Sequence, residues 1–284
     1  SGPRRRLYGS ARDMVIGMSF VTLEGNQVRS GGMVVKNVAG LDMAKLIIGS
    51  FGTLAAIATV NFKVCPRPPA ERTFLLSFDS AGLALRARDA VLRSALGPAA
   101  IDLANPAAAE RLGSALPAGY VLLIEAGGIE AVMARYERDL KGIAREAGAL
   151  EFTVCGEEQA RRLWRGVCDF SALRPEEPPG AAVVRISTTL SGLGGCFSFA
   201  GSLPALARAG SGVCYVYCAL FDPGIVARAR SAGLYAVVES CSLADKGRLD
   251  LWAEPEAELE SMKRVKRALD PDNLLNHGRL YNRL

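Results

Sequence analysis

Glycines crowded into one short stretch constrain the fold of this chain more than any other feature of its sequence. Residues 34–66 combine glycines with nearby polar residues of the types that form tight turns, namely Gly40, Gly49, Gly52, Asn37, Asp42, Ser50 and Thr53. Only glycine adopts positive φ without a steric cost, so this spacing suits a backbone that turns sharply or approaches a ligand closely. It matches neither the GxGxxG of dinucleotide-binding βαβ units nor the GxxxxGK[ST] of phosphate loops. Apolar residues flank the turns, so we expect a folded binding site.

The composition is that of an ordinary globular chain with a mild positive charge. Its 284 residues, 50% of them hydrophobic, suffice for one large domain or two smaller ones. The formal net charge of +5 is dispersed and aromatic residues make up only 7%, which argues against a nucleic-acid-binding face. The apolar runs fall far short of the ~20 residues that a membrane span needs, and we recognise no secretory leader. We therefore expect a cytoplasmic protein with no transmembrane segment and no nucleic-acid partner.

Cysteine and histidine give no sign of a metal or an acid–base centre. The seven cysteines are odd in number, scattered and without a CxxC spacing, which argues against a zinc site, an iron–sulfur cluster and a disulfide framework. Buried free thiols in a reducing cytosol are the favoured interpretation. The single histidine, His277, stands in the tail, so catalytic triads and multi-histidine metal sites depend on it or are excluded. We predict no metal site and assign no catalytic residue.

The N-terminal part of the chain has the pattern of a small antiparallel sheet with one short helix. A hairpin is predicted from strands at 13–22 and 27–33, and a helix over 41–48 would begin with Asp42 as its N-cap. A strand at 54–64 follows. The prolines at 66–69 stop that strand, because proline cannot donate to a sheet ladder, and they mark a domain boundary.

Repeated β–α–β units follow this boundary. Strands are predicted at 73–77, 100–105, 120–125, 151–155, 181–188 and 212–220, helices at 81–96, 129–147 and 202–209, and loops at 175–179 and 192–195. Units of this length favour an α+β fold with a helix-backed antiparallel sheet of the split-βαβ, ferredoxin-like kind. The tail would form a helix with an acidic start and a basic end, stopping at 270–272, and then dock onto the protein.

Three glycine-containing blocks and the tail carry a resemblance to a known family. The blocks span 8–17, 31–42 and 49–54, and the tail reads LDPDNLLNHGRLY. In these motifs the chain resembles the FAD-linked oxidases related to vanillyl-alcohol oxidase, and within them the FAD-binding E subunits of bacterial glycolate oxidases. The resemblance is strong at both ends of the chain and faint across the middle.

The resemblance implies the C-terminal half of a two-subdomain FAD-binding domain joined to an antiparallel-sheet cap domain. The second FAD subdomain would span 1–68 and the cap 69–254, with 255–284 returning to the FAD domain. A pyrophosphate needs close backbone N–H donors and little side-chain bulk, which glycine-lined loops supply. The implied cofactor-binding residues are Gly9, Ser10, Asp13, Gly17, Asn37, Gly40, Asp42, Gly49, Ser50, Gly52, Thr53, Ile57 and Asn276.

In function, the resemblance implies an FAD-binding subunit of a glycolate oxidase-like 2-hydroxy-acid oxidoreductase. The cofactor would be FAD, which would accept hydride from a small 2-hydroxy acid while the protein positions and tunes it. The expected partners are a second flavoprotein subunit and an iron–sulfur subunit. Through these partners the chain would lie in the cytoplasm or peripherally at the inner membrane.

A non-catalytic assembly subunit that keeps the fold but binds no flavin is the alternative function. Two departures from the family pattern bear on it, because Ala55 replaces a glycine and His277 replaces a proline. We also expect the family's N-terminal FAD half, with its pyrophosphate-gripping loop, to be missing from this sequence. Several of the matched glycines would then serve only the geometry of tight turns.

Overall fold

A computed structural model describes residues 2–33, 41–113, 116–222, 224–246, 251–252, 258–281 and 284. By its contacts the chain divides into two units. The larger unit comprises Ser1–Leu7 with Arg67–Leu249, and the smaller unit comprises Tyr8–Pro66 with Asp250–Leu284. The assignment of the segments 1–68, 69–254 and 255–284 to a flavin domain and a cap stays a prediction.

Helices and strands alternate through both units. In chain order they are α1 (Arg5–Tyr8), α2 (Ala11–Met14), β1 (Val15–Val21), β2 (Gln27–Gly31), α3 (Met43–Ile47), β3 (Ala56–Phe62), β4 (Ala70–Phe78), α4 (Ala81–Arg93), β5 (Ala100–Ala104), α5 (Pro106–Arg111), β6 (Tyr120–Gly128), α6 (Glu130–Ala147), β7 (Glu151–Val154), α7 (Glu157–Asp169), β8 (Ala182–Ser187), α8 (Leu193–Ala200), β9 (Ala205–Arg208), β10 (Val213–Cys218), α9 (Gly224–Ser231), β11 (Tyr235–Cys241), α10 (Leu243–Lys246) and α11 (Glu258–Leu269).

A three-stranded antiparallel sheet forms the centre of the smaller unit, with β1 between β2 and β3. Strand β1 packs Met18 and Phe20 into a core that also includes Ile47 of α3. The predicted β1–β2 hairpin is confirmed. The predicted strand over 13–22 is wrong at its beginning, because Asp13 closes a capping box with Ser10 on the short helix α2.

Two ferredoxin-like repeats make up the eight-stranded sheet of the larger unit. The sheet order is β11-β8-β10-β9-β5-β6-β4-β7, and every pair is antiparallel. Strands β4 to β7 form one repeat and β8 to β11 the other, and both show the same split-βαβ arrangement. The second strands of the two repeats, β5 and β9, pair and so join the halves. The predicted α+β fold with a ferredoxin-like antiparallel sheet is confirmed.

The prediction of a loop at 192–195 and a helix at 202–209 is wrong. The helix is α8, which begins at Leu193 despite its two glycines and buries Leu193, Cys196, Phe197 and Ala200 at helical spacing. Gly201 ends it with φ +57°. Strand β9 follows, and its four residues are all buried, so it shows none of the polar–apolar alternation by which strands are recognised. Strand β11 and helices α7 and α9 were also not predicted.

A buried ion pair joins the two repeats at the β5–β9 pairing. Arg208 of β9 donates from Nη1 to Oδ2 of Asp102 on β5 at 2.5 Å. The Arg208 side chain is 3% exposed and that of Asp102 is fully buried. Arg208 also donates to the carbonyl oxygen of Val167 at 2.9 Å, which attaches helix α7 to the sheet. One guanidinium therefore connects both repeats and a helix.

Candidate functional site

A loop with three left-handed residues follows helix α3 in the smaller unit. Gly49, Phe51 and Gly52 have φ values of +87°, +54° and +73°. Thr53 closes the turn, because its amide and its hydroxyl both donate to the carbonyl oxygen of Ser50, at 3.0 and 2.7 Å. Ser50 and Thr53 are buried, whereas Phe51 and Gly52 are exposed. We call residues 49–53 the glycine loop.

The C-terminal tail holds the glycine loop by two hydrogen bonds. Asn276 donates from Nδ2 to the carbonyl oxygen of Phe51 at 2.7 Å. Lys266 of α11 donates from Nζ to the carbonyl oxygen of Thr53 at 2.9 Å. The structure thus brings together the glycine loop and Asn276, which the sequence had placed in one site from opposite ends of the chain.

Lys266 and Asp270 form the buried centre of this arrangement. Lys266 also donates to the carbonyl oxygen of Leu275 at 2.8 Å and to the Asp270 carboxylate. Asp270 accepts from the amides of Leu274 at 2.9 Å and Leu275 at 2.7 Å, which ties the turn after α11. Burial opposes the ionisation of Asp270, but the Lys266 ammonium and the two amides outweigh it and lower its pKa to about 2.

Acid is expected to destabilise the turn after α11, which the Asp270 carboxylate holds. The Asp270 pKa is lowered from 3.8 to about 2 in the folded chain, so its contribution to stability is complete above the unfolded value and is lost as pH falls towards 2. Asp270→Asn should therefore cost stability at neutral pH, and the cost should shrink across this window. Urea unfolding of parent and variant at several pH values measures it, and a difference that does not change with pH would contradict the assignment.

Aromatic rings pack beside the glycine loop. The ring of Trp252 lies 5.7 Å from that of Phe51, edge to face, and 5.4 Å from that of Tyr281. Aromatic pairs of this kind stabilise a fold by more than the burial of their apolar area alone would give. The indole of Trp252 therefore lies where its fluorescence will report on the loop.

Four more of the predicted cofactor residues lie at helix starts in the same unit, at Gly9, Ser10, Asp13 and Asp42. Gly9, Ser10 and Asp13 form the entry to α2, where the Ser10 amide donates to the Asp13 carboxylate at 2.7 Å. Asp42 caps α3 by accepting from the Lys45 amide at 3.2 Å. Ile57 is half-exposed on β3. Asn37 and Gly40 lie outside the described residues.

Close strand packing is sufficient to explain Gly17. A Cβ at this position would lie 2.6 Å from the backbone nitrogen and oxygen of Gly32, so only glycine lets the two segments approach. By contrast, a Cβ at Gly49 would meet nothing within 4 Å, which leaves its surroundings open to a ligand. Ala55 packs its methyl group into the core of the unit and His277 is exposed.

A cleft of about 390 Å³ adjoins the glycine loop within the smaller unit. Its lining is mainly apolar, with a few basic and hydroxyl groups, and comprises Arg12, Lys45, Leu46, Ile48, Gly49, Ser50, Thr53, Leu54, Glu258, Ser261, Met262, Val265, Lys266, Leu280 and Leu284. In the described part of the chain, the amides of Phe51 and Gly52 donate to no oxygen. Amides that make no hydrogen bond within the protein suit an anionic or polar ligand, so the loop fits one edge of a dinucleotide.

No sequence motif marks Lys266 or Asp270 as a site residue. Their spacing of four residues is that of an ordinary surface ion pair on a helix. The signal that distinguishes them lies in the fold, because Lys266 is 5% and Asp270 1% exposed. A lysine is almost never this buried unless it is paired.

The larger unit has its own cavity, of about 640 Å³, at the end of β4. Four arginines line it, and each is paired with a glutamate. The pairs are Arg4 with Glu125, Arg67 with Glu71, Arg72 with Glu130 and Arg161 with Glu157. Because the charges balance, this cavity has no excess of cations to attract a small carboxylate.

Metal clusters and reactive thiols would be two other kinds of site for the described residues to form. Among them, no three histidine, cysteine or acidic side chains come together in a way that could hold a metal ion. Burial raises the pKa of Cys155 and of Cys218 to about 11, so these thiols are poor nucleophiles. No helix in the described ranges is long and apolar enough to cross a membrane.

Known proteins similar to this chain include oxidase subunits and a dehydrogenase. The C-terminal domain of the FAD linked oxidases matches residues 67–182 and 251–280. Glycolate oxidase subunit GlcD of Bacillus subtilis is 24% identical, covering 99% of this chain and 66% of that protein. Glycolate oxidase subunit GlcE of Escherichia coli is 47% identical over 70 residues, 25% of this chain and 20% of that protein. The mitochondrial D-lactate dehydrogenase [cytochrome] of Arabidopsis thaliana is 26% identical over 99% of this chain and 54% of its own length.

Solved structures share the fold. Alkyldihydroxyacetonephosphate synthase superimposes with a TM-score of 0.66 at 18% identity, over 97% of this chain and 55% of that one. p-Cresol methylhydroxylase with substrate bound gives a TM-score of 0.61 at 14% identity, over 95% of this chain and 65% of that one. The chain spans about half to two-thirds of the length of the relatives that it matches from end to end.

Proposed function

This chain belongs to the FAD-linked oxidases, and on that premise we propose that it is the FAD-binding subunit of a 2-hydroxy-acid oxidoreductase. FAD is the cofactor of the family. The names of the relatives, glycolate oxidase and D-lactate dehydrogenase, support a small 2-hydroxy acid such as glycolate as the substrate. The observation that carries the proposal is the glycine loop, because the Phe51 and Gly52 amides make no hydrogen bond in the described part of the chain while the tail holds the loop through the Phe51 carbonyl oxygen.

The residues of the smaller unit would hold the cofactor through its polar groups. The amides of Phe51 and Gly52 would donate to the pyrophosphate or the ribityl chain, and Gly49 would let that backbone approach. Asn276 would fix the loop through Phe51. When bound, FAD supplies the hydride acceptor, and the protein orients it. The remaining predicted residues, from Gly9 to Asp13 and at Asp42 and Ile57, would form the surrounding wall.

Partner subunits would supply what this chain lacks. The ionisable groups closest to the glycine loop serve the fold in the described part of the chain, since Lys266 and Asp270 bind each other and Lys45 donates to the carbonyl oxygens of Arg12 and Val15. Similarity to both GlcD and GlcE supports a complex with a second flavoprotein subunit, and an iron–sulfur subunit would carry electrons onward. We place this complex in the cytoplasm, with peripheral attachment to the inner membrane as the alternative.

A non-catalytic assembly subunit that binds no flavin is the second candidate. The observation that favours it is the size of the cleft beside the glycine loop, which at about 390 Å³ lies at the small end of ligand sites. In that case the glycine loop and its ties to the tail would serve only the fold.

Flavin binding separates the two candidates. The test is a titration of the purified protein with FAD. We expect yellow protein with one FAD per chain and quenching of Trp252 fluorescence, since that indole packs against the glycine loop. A colourless protein that takes up no FAD in the titration would reject the flavoprotein proposal in favour of the assembly subunit.

A further inference from the structure

Lys266 makes an unusual set of contacts for a lysine. Its ammonium group is buried and donates to three oxygens, on Thr53, Leu275 and Asp270. Two of the acceptors, on Asp270 and Leu275, lie in the turn after α11, and the third, on Thr53, lies in the glycine loop. A tetrahedral ammonium with three donors matches three diverging acceptors, which the planar fork of arginine does not.

Strained backbone is concentrated in the two segments that Lys266 joins. In the described ranges, the non-glycine residues with positive φ are Phe51 at +54°, Asn273 at +52°, Asn276 at +40° and Tyr281 at +54°. The first lies in the glycine loop and the other three lie in the tail. Such conformations persist only where surrounding contacts hold them, and they cluster at functional sites.

We propose that Lys266 is the positioning residue of the cofactor site, holding the glycine loop in the conformation that presents its free amides. It acts through Thr53 and Leu275 and does not itself touch the flavin. The relevance to FAD rests on the proposed function, whereas the control of loop conformation does not. Nothing in the sequence pattern of α11 separates Lys266 from the neighbouring surface lysine, Lys263.

The first experiment compares Lys266→Met with Lys263→Met. Lys263 lies one turn earlier on the same helix, is 38% exposed and pairs with Glu260 at 2.8 Å, so its replacement removes an equivalent side chain from the surface. Backbone hydrogen exchange in Lys266→Met should accelerate at least ~10-fold at the hydrogen-bonded amides of the two segments, with β1 unchanged. These amides are those of Ser50, Thr53, Leu274 and Leu275. FAD should bind ~10–100-fold more weakly, the range seen when a group that orients ligands is lost. Lys263→Met should change neither quantity.

Removing Lys266 alone leaves the buried Asp270 carboxylate without its cation, and that variant could fail to fold. The double variant Lys266→Met/Asp270→Asn removes both charges together and should fold while still showing fast exchange in the glycine loop. A further variant, Lys266→Ala, lacks the atoms of n-propylamine, and Lys266 lines the open cleft. Millimolar n-propylammonium should therefore restore FAD affinity to Lys266→Ala and have no effect on the parent.

The outcomes separate this inference from the proposed function. Unchanged exchange in residues 49–54 of the folded double variant would overturn the role of Lys266. Fast exchange with unaltered FAD affinity would show that Lys266 stabilises the loop without positioning it for the cofactor. That result would also overturn the role of Lys266. A parent protein that binds no FAD would reject the flavoprotein proposal alone, because the exchange measurement still decides whether Lys266 holds the loop.

Discussion

Replacing Asp102 with asparagine is expected to lower the free energy of unfolding by ~3–5 kcal/mol, the cost of leaving a buried charge unpaired. Arg208 would remain ionised and almost completely buried, with only neutral acceptors, among them the carbonyl oxygen of Val167 and the introduced amide. Burial raises the pKa of Asp102, and the charge and hydrogen bond of Arg208 act in the opposite direction. Because domains are stable by only ~5–15 kcal/mol, the loss is a large part of the total.

Asp89→Asn provides the matched control for that substitution. Asp89 also pairs with a buried arginine, Arg88, at 2.7 Å, but its own side chain is 44% exposed. Arg88 additionally donates to the carbonyl oxygens of Ala209 and Leu190, so it keeps two acceptors in the variant. The expected cost is below ~1 kcal/mol. Urea denaturation, followed by far-ultraviolet circular dichroism, measures the free energy of unfolding of Asp102→Asn and of Asp89→Asn.

An apolar replacement of the whole pair tests the reason for the effect. Asp102→Leu/Arg208→Met removes both charges and should recover most of the stability, since buried ion pairs are often no better than well-packed apolar side chains. If Asp102→Asn costs no more than Asp89→Asn, the pair does not hold the repeats together. If the double variant is as unstable as Asp102→Asn, the cost comes from lost packing and not from an unpaired charge.

Local chemistry made part of this structure predictable. Gly52 and Gly49 adopt the positive φ for which glycine is suited, Asp42 caps α3, and the β–α–β periodicity gave the ferredoxin-like sheet. Each of these features is decided by residues within a few positions of one another. The errors arose where burial overrides local propensity, as in the glycine-containing helix α8 and the fully buried strand β9.

The hydrogen bonds between residues far apart in the sequence could not be predicted in this way. Lys266 and Thr53 are 213 positions apart, and Arg208 and Asp102 are 106 apart. A lysine or an arginine has the same local pattern whether it is solvated or buried, so a single sequence does not distinguish them. For the candidate site, sequence motifs therefore identified the loop and Asn276, and only the fold identified what holds them.

Gly52→Val is expected to abolish flavin retention while leaving most of the fold intact. Valine is strongly disfavoured at the φ of +73° found here, because a branched Cβ clashes with its own backbone there. Its Cβ would also lie 2.7 Å from Nδ2 of Asn276, so the Asn276 side chain must move and lose its bond to Phe51. Both effects displace the amides that would bind the cofactor. FAD content after purification and an FAD titration measure the result.

Gly25→Val distinguishes the effect of backbone strain from the effect of losing the hydrogen bond between Asn276 and Phe51. Gly25 has nearly the same φ, +81°, in the β1–β2 turn of the same unit, but a Cβ there meets nothing within 4 Å. Both variants should lose ~1–2 kcal/mol or more of stability from the left-handed conformation. Only Gly52→Val should lose FAD, because only its side chain displaces Asn276 from Phe51. Equal loss of FAD in the two variants would assign the effect to general destabilisation, and full retention in Gly52→Val would show that Gly52 serves the turn alone.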